Sequence, residues 1–191
     1  IADSFRVTAP CACGADALID IAALVAQVRD QNDNAATSFD PSTLDIDSLL
    51  TEGKAFPCGR LHAPTLTLRG ASTYAIAPAG RSALFIQGDL KVSSYSTLYV
   101  NNSTPAIPVP IPTGDLDLFI AGDLIVEQSS SLVLGGPAQP AATRVFLAGQ
   151  IRAEGAIQLA AHLYAPNATY ASTPIIASSE LYGSIHARSI Q

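Results

Sequence analysis

The chain has 191 residues, of which 48% are apolar and only 14% are charged, with a net charge of −6. This length suits one domain with a substantial core, and the apolar content excludes intrinsic disorder. An acidic chain without a basic run offers no positive surface to nucleic acid. No stretch approaches the roughly 18 consecutive apolar residues of a membrane-spanning helix. Neither a nucleic-acid partner nor a membrane span is therefore expected.

The chain begins at Ile1 and contains no methionine, so we interpret it as a processed mature fragment that has lost its targeting signal. A surface with so little charge must be covered by Ser, Thr, Asn, Gln and Ala. Such surfaces are common on extracellular and self-assembling proteins. The sequence thus predicts a secreted protein at the cell exterior.

The three cysteines, Cys11, Cys13 and Cys58, leave three interpretations open. In an oxidising compartment Cys58 pairs with Cys11 or Cys13, and closing that loop of about 45 residues stabilises the fold by roughly 4 kcal/mol. Otherwise all three are free thiols, or they form a metal site with His62 as the nearby imidazole. A lone C-x-C is a weak zinc signal, so we predict the disulfide and no metal.

One α-helix is predicted between Ala15 and Gln31. Its apolar residues recur at helical spacing and are Leu18, Ile21, Ala22, Leu24, Val25 and Val28. Asp16 is the predicted N-terminal cap, and the polar run 32–34 predicts the end of the helix. Residues 32–64 are polar and rich in turn residues.

From Thr65 onward, short apolar segments alternate with Gly, Ser, Asn and Asp, which predicts many short strands. An apolar phrase ending in a turn residue recurs along this region. Its copies end at Gly70, Gly88, Gly122, Gly149, Pro166 and Gly183. The intervals are 18, 34, 27, 17 and 17 residues. A unit of about 17 residues accounts for them if 34 spans two units and 27 contains an added loop.

Recurrence at a short period is typical of a solenoid, in which each coil buries its face against its neighbours. The predicted fold is therefore an all-β parallel β-helix with coils of about 17 residues and one N-terminal α-helix. Because a solenoid has apolar ends, the helix is expected to cap one end or to pack along the flank. Residues 1–64 are assigned to the helix and a cysteine-containing cap or linker, and residues 65–191 to the solenoid.

A proline-rich segment, 104–112, interrupts the strand pattern. Proline cannot donate to a strand ladder, so this segment is expected to be extended but not a central strand. It is interpreted either as a loop packed on the solenoid or as an apolar arm that docks on a neighbouring subunit. The candidate self-association residues are Pro105, Ile107, Pro108, Val109, Pro110, Ile111 and Pro112.

Two aspartates, Asp89 and Asp123, occupy the same repeat position directly after turn glycines, where equivalent positions of a solenoid stack. They suggest a calcium ladder or a pair of catalytic acids, but the next copy has Gln150 there, and Asp is an ordinary turn residue. Two closer pairs are spaced to share a strand face: Asp45 with Asp47, and Asp115 with Asp117. We interpret all three pairs as turn or strand-edge residues, and expect no catalytic site and no cofactor.

The histidines, His62, His162 and His186, lack any nucleophile or metal motif, and we interpret them as isolated surface residues. Asn101, Asn102 and Asn167 start N-x-S/T triplets that matter only if the protein is glycosylated. The tyrosines are either ordinary strand residues or platforms that stack on sugars. They are Tyr74, Tyr95, Tyr99, Tyr164, Tyr170 and Tyr182.

The C-terminal phrases HLYAPNA (162–168) and ELYGSIHARSI (180–190) resemble the last coils of a secreted β-solenoid family of bacterial, myxobacteria-like surface proteins. The phrase LFIAGDL (118–124) is similar to that family as well. The resemblance covers residues 60–191 and implies a right-handed solenoid at the cell exterior, with no catalytic residues. A looser similarity to bactofilins, which polymerise end to end, is architectural.

The leading functional hypothesis is an extracellular, self-associating structural protein, such as a filament or surface-layer subunit. Open solenoid ends invite head-to-tail contacts between copies. The alternative hypothesis is a monomeric adhesin or carbohydrate-binding module, with glycans as partners. An enzyme acting on polysaccharides ranks third, so the protein is not expected to be an enzyme.

Overall fold

The computed structural model describes residues 18–47, 49, 51–101, 114–170 and 180–190. Two α-helices lie in this part of the chain, α1 (Ile21–Arg29) and α2 (Asn34–Thr37), with 3₁₀ turns at Pro41–Leu44 and Pro140–Ala142. The strands are β1 (Asp45–Asp47), β2 (Thr51–Phe56), β3 (Gly59–Ala63), β4 (Leu66–Arg69), β5 (Thr73–Pro78), β6 (Ser82–Ile86), β7 (Leu90–Val92), β8 (Thr97–Val100), β9 (Leu116–Ile120), β10 (Leu124–Val126), β11 (Ser131–Leu134), β12 (Thr143–Leu147), β13 (Ile151–Ala153), β14 (Ala156–Leu159), β15 (His162–Tyr170), β16 (Glu180–Leu181) and β17 (Ser184–Ile190).

These strands form three parallel sheets that run along the molecule. The first sheet contains β1, β4, β7, β10 and β13; the second β2, β5, β8, β11, β14 and β16; the third β3, β6, β9, β12, β15 and β17. Each coil contributes one strand to each sheet, so the described residues form five three-stranded coils and part of a sixth. The predicted all-β parallel solenoid is confirmed.

The predicted coil of about 17 residues is wrong, because coils of about 24 residues are the norm. On the third sheet Leu84 pairs directly with Leu118, so the 34-residue interval is one coil and not two. This interval is long because 15 residues connect β8 to β9. The 27-residue interval contains the connection 135–142 between β11 and β12. The copies at Gly88, Gly122 and Gly149 follow equivalent strands of successive coils. The copy at Gly70 follows β4, in the same coil as Gly88, so the 18-residue interval is less than one coil.

Strands also begin earlier than the pattern predicts. The sequence places the first strand at Thr65, whereas β1–β3 already form a complete coil over residues 45–63. These three strands are short and polar on their outer sides. Their sequence therefore resembles that of the surrounding turns.

The core lies between the three sheets and is built from inward-facing aliphatic side chains. Leu66, Leu90 and Leu124 stack in register on the first sheet and are almost completely buried. Leu98 and Leu132 do the same on the second sheet. Because strand side chains alternate between faces, every second residue is buried. Each fully buried leucine contributes about 1.5–3 kcal/mol.

The N-terminal end of this core is closed by the residues that precede β1. Phe39 and Leu44 are buried and belong to the same apolar cluster as the strand leucines. The Phe39 ring packs edge-on against Phe56, with ring centroids 6.4 Å apart. The apolar core is thereby shielded from water at this end.

The outer edge of β3 is also covered. The Asp33 N–H donates to Arg60 O (2.8 Å), and the Asp33 carboxylate accepts the Arg60 N–H (2.8 Å). One step along, the Asn34 side-chain amide donates to His62 O (2.7 Å) and accepts the His62 N–H (2.9 Å). Two residues therefore satisfy backbone groups that an edge strand leaves open to other chains.

Helix α1 is shorter than predicted. It begins after Asp20, whose carboxylate accepts the Ala23 N–H at 2.9 Å, so Asp20 and not Asp16 is the N-terminal cap. Its end is near the predicted place, where the Asn32 side chain donates to Arg29 O at 2.6 Å. Both side chains satisfy backbone groups that a helix end leaves unpaired.

Of the two predicted roles for this helix, the structure shows the flanking one. Ile21, Val25 and Val28 are buried against Phe85 on the outer face of the third sheet. That face carries an aromatic ladder, with one ring per coil in register. The ladder consists of His62, Phe85, Phe119, Phe146, Tyr164 and His186. The three phenylalanine rings stack with centroids 4.6 and 4.5 Å apart, a favourable aromatic spacing.

Candidate functional site

Several predicted site residues lie outside the described part of the chain. They include Cys11, Cys13 and the proline-rich segment 104–112, which holds all the candidate self-association residues. Cys58 is exposed and forms no disulfide with a described residue. The disulfide and the docking arm therefore stay predictions.

The two stacked aspartates each bond to the next coil. Asp89 Oδ1 accepts the Asp123 N–H at 2.7 Å, and Asp123 Oδ1 accepts the Gln150 N–H at 2.8 Å. Each carboxylate is thus aimed at the backbone of the next coil, and Asp123 also forms an ion pair with Arg152 (2.8 Å).

The other acidic pairs form ion pairs on the outer surface. Asp45 and Asp47 both contact the Arg69 guanidinium, at 3.1 and 3.0 Å. Asp117 forms a two-point pair with Arg144, while Asp115 precedes β9. Within the described ranges, no group of three His, Cys, Asp or Glu side chains is placed to hold a metal ion.

The interpretation of His62 as a surface residue is wrong. Its ring is only 8% exposed at the end of the aromatic ladder, and Nε2 has no hydrogen-bond partner among the described residues. Burial lowers the pKa of His62, and the nearby Arg29 acts in the same direction. His162 and His186 are exposed and do not pair; His162 contacts Ser184 Oγ at 2.7 Å.

One of the potential glycosylation sites is closed. Asn101 is buried, and its side-chain amide donates to Gly114 O (2.8 Å) and Thr143 Oγ1 (2.9 Å). Asn102 lies outside the described residues, and Asn167 is exposed. Of the two described asparagines, Asn167 has the side chain that a modifying enzyme can reach in the folded chain.

The tyrosines separate clearly by exposure. Tyr74 is buried in the core, where burial raises the pKa of its hydroxyl. Tyr164 belongs to the aromatic ladder, and its oxygen accepts the Ile19 N–H at 3.1 Å. Tyr99 is half-buried, Tyr182 is 43% exposed and Tyr95 is 76% exposed; the Tyr170 side chain lies outside the description. Tyr95 is thus the tyrosine placed best to meet a ligand.

Tyr95 borders a groove where the first sheet turns into the second. We call this space, of about 650 Å³, the corner groove. The larger side chains that line it are Tyr95, Ile125, Glu127, Gln128, Arg152 and Glu154. The volume lies in the range of ligand-binding clefts, and the lining mixes one aromatic ring with planar polar groups.

The coil register positions the two glutamates of the corner groove. Val126 and Ala153 are register partners at the ends of β10 and β13, so Glu127 and Glu154 follow at equivalent positions one coil apart. The Glu127 N–H donates to Val92 O (2.9 Å), and the Glu154 N–H donates to Val126 O (2.8 Å). These backbone bonds fix both side chains at the same corner of the solenoid.

The backbone beneath Tyr95 is strained. Ser94 and Tyr95 have φ angles of +57° and +62°, the left-handed region that costs an L-residue roughly 1–2 kcal/mol. The equivalent residues of the neighbouring coils, Ala71 and Ser129, have φ angles of +57° and +63°, so this is a repeated corner turn of the solenoid. A bulky tyrosine is rare in this conformation. The ring is held in solvent by a turn that glycine or asparagine would form more easily.

Charges in the corner groove are partly compensated. Glu127 pairs with Lys91 (2.7 Å) and Arg152 with Asp123, whereas Glu154 has no ion-pair partner among the described residues. The groove therefore offers carboxylate acceptors, an amide that both donates and accepts, and an apolar ring face. These groups suit a ligand with many hydroxyls and an apolar ring surface, as sugars have.

Sequence reasoning included Tyr95 among six tyrosines but missed Glu127, Gln128 and Glu154. Glu127 and Glu154 directly follow β10 and β13. This shared position can be recognised in the sequence only when the coil register is known. The wrong coil length removed that signal.

Comparison with protein-family models, curated proteins and solved structures finds no match to this chain. Within the described residues, no helix has the length and apolar character needed to cross a membrane.

Proposed function

We propose that this chain is a non-catalytic β-solenoid module that binds glycans outside the cell through the corner groove. The observation that carries the proposal is Tyr95, a tyrosine 76% exposed on a strained turn at the edge of a polar groove. The low charge and the C-terminal resemblance to secreted surface proteins support the extracellular location. An adhesin-like role follows from this proposal.

The chemistry of the groove supports a sugar ligand. An exposed tyrosine presents an apolar ring face with a polar tip and loses little conformational entropy on binding. Glu154 and Gln128 supply oxygen acceptors and amide donors in planar geometry, which match adjacent hydroxyls. The ion pairs at Glu127 and Arg152 hold their side chains in place before a ligand arrives.

A glycan array probed with the wild-type chain, Tyr95→Ala and Tyr182→Ala tests the proposal. Tyr182 is a matched control because it is exposed but lies in the sixth coil, away from the groove. We expect binding that Tyr95→Ala lowers at least tenfold, roughly the 1.4 kcal/mol of one stacking contact, and that Tyr182→Ala leaves unchanged. An array without hits, or hits that Tyr95→Ala leaves intact, would contradict the proposal.

Self-association into a filament or surface layer is the second candidate. Among the described strands, β2 pairs only with β5, and β17 pairs only with β15. These edges lie at opposite ends of the solenoid, and unpaired edges accept strands from other copies. Sedimentation velocity over a concentration series, with negative-stain microscopy, tests this: large particles or fibres support it, and a monomer at the highest concentration rejects it.

A further inference from the structure

The corner groove continues onto the outer face of the second sheet. Gln128, Ser129 and Glu154 line both the corner groove and a depression of about 190 Å³. Ser131 and Ala156 in turn line both this depression and a groove of about 340 Å³ on the second sheet. The three spaces share walls in sequence and form one path, which we call the extended cleft.

The part of the extended cleft on the second sheet is built from register columns. Thr97, Ser131 and Ala156 form one column, and Tyr99, Val133 and Gln158 form the next. Its lining offers hydroxyl, amide and aromatic groups and no charged side chain. A charged ligand would find no counter-ion there, whereas sugar hydroxyls find donors and acceptors.

We propose that the extended cleft binds one neutral polysaccharide chain, with Tyr95 and Tyr99 against two different sugar rings. The inference rests on the proposed function and adds its substrate class. Tyr95 and Tyr99 are four residues apart, a separation of up to about 13 Å along an extended chain. That distance suits successive rings of one chain.

Charge favours the neutral class over its alternatives. The whole chain carries a net charge of −6, and Glu154 lies where the corner groove meets the connecting depression, so an anionic polysaccharide is repelled. A cationic chain would find the Glu154 carboxylate near the corner groove. It would find no carboxylate to bind in the groove on the second sheet. A neutral chain finds hydrogen-bonding partners along the whole path.

The test is calorimetric titration with chito-oligosaccharides and cello-oligosaccharides of two to six sugars, with chitosan and oligogalacturonide hexamers as the cationic and anionic counterparts. We expect affinity for one neutral series to rise with length. Tyr99→Ala should lower hexamer affinity about fivefold and leave disaccharide affinity unchanged. Tyr99→Phe is the control that keeps the ring and its packing on Ala75 and Ala77.

The outcomes separate this inference from the proposed function. Tyr95-dependent affinity that is equal from two to six sugars, or that is insensitive to Tyr99→Ala, overturns the extended cleft and leaves glycan binding at the corner standing. Preference for a charged hexamer overturns the neutral class. Absence of Tyr95-dependent binding to any array glycan overturns both.

Discussion

The carboxylate of Asp89 accepts a hydrogen bond from the backbone N–H of Asp123, its counterpart one coil later, at 2.7 Å. The approach is so close that the carboxylate fills the space beside Gly122, where a Cβ atom would lie 2.3 Å from Asp89 Oδ1. Gly149 and Asp123 repeat the arrangement at 2.4 Å. The glycine of the recurring phrase is therefore required by contact between coils.

Gly122→Ala should destabilise the fold by about 1–3 kcal/mol, the usual effect of adding a methyl group where no space exists. The added Cβ would also lie 2.6 Å from Gly88 O. Urea unfolding followed by circular dichroism measures the change. Gly88→Ala is the control, because its Cβ would meet nothing closer than 3.1 Å. Equal losses for the two variants would show that the Asp89 contact is not what requires the glycine.

Val25→Ala should destabilise the chain by about 2 kcal/mol, since Val25 is fully buried between α1 and the aromatic ladder. Gln27→Ala on the exposed side of the same helix should change stability by less than about 0.5 kcal/mol. Thermal unfolding of both variants checks the flanking position of α1. A Val25→Ala variant as stable as Gln27→Ala would mean that the helix does not pack on the sheet.

The double variant Asp33→Ala/Asn34→Ala should increase self-association, because it exposes the edge of β3. It should also lose stability, by about 1 kcal/mol for each hydrogen bond removed. Sedimentation velocity compares it with Gln31→Ala, an exposed neighbour. If the double variant remains as monomeric as the control, these residues do not protect the edge.

Stability should fall as pH drops below 6.5, the ordinary pKa of histidine, because the pKa of His62 is lowered in the folded state. Between pH 6.5 and that lower pKa the unfolded chain takes up a proton that the folded chain does not. Protonation therefore lowers the free energy of unfolding. Arg29 and Asp30 face His62 from the end of α1, and the Asp30 charge partly offsets the burial. Asp30 and Asp40 have pKa values lowered from 3.8, so their contributions are lost only in more acidic solution.

His62→Phe, which continues the aromatic ladder without a titrating group, should remove this decline between pH 7 and 5. Urea unfolding at several pH values measures it, with His162→Gln as the exposed control. A decline that persists in His62→Phe would assign the pH dependence to other groups.

The fold class was readable from the sequence because short apolar segments and turn residues directly reflect strands and corners. The coil length was not, since the connection between β8 and β9 adds residues that resemble another unit. The direction of Phe85, Phe119 and Phe146 was hidden as well. Each lies in a run of consecutive apolar residues, so the alternation of strand side chains does not reveal which face it is on. The rings lie on the outer face, where they pack with α1.

The candidate site was predictable only in its chemistry. Six tyrosines were possible sugar platforms, and exposure singles out Tyr95, a property of the turn and not of the neighbouring sequence. Glu127 and Glu154 are 27 residues apart in the chain and equivalent in the solenoid. No local motif connects residues that meet through coil register.

Amide chemical-shift mapping shows where a glycan contacts the protein. The ¹⁵N-labelled chain is titrated with the oligosaccharide that binds best on the array. We expect shifts concentrated in the turns 93–96, 127–130 and 154–155, and absent in Tyr95→Ala at the same concentrations. Shifts confined to other surfaces, such as the last coil around Tyr182, would contradict this expectation.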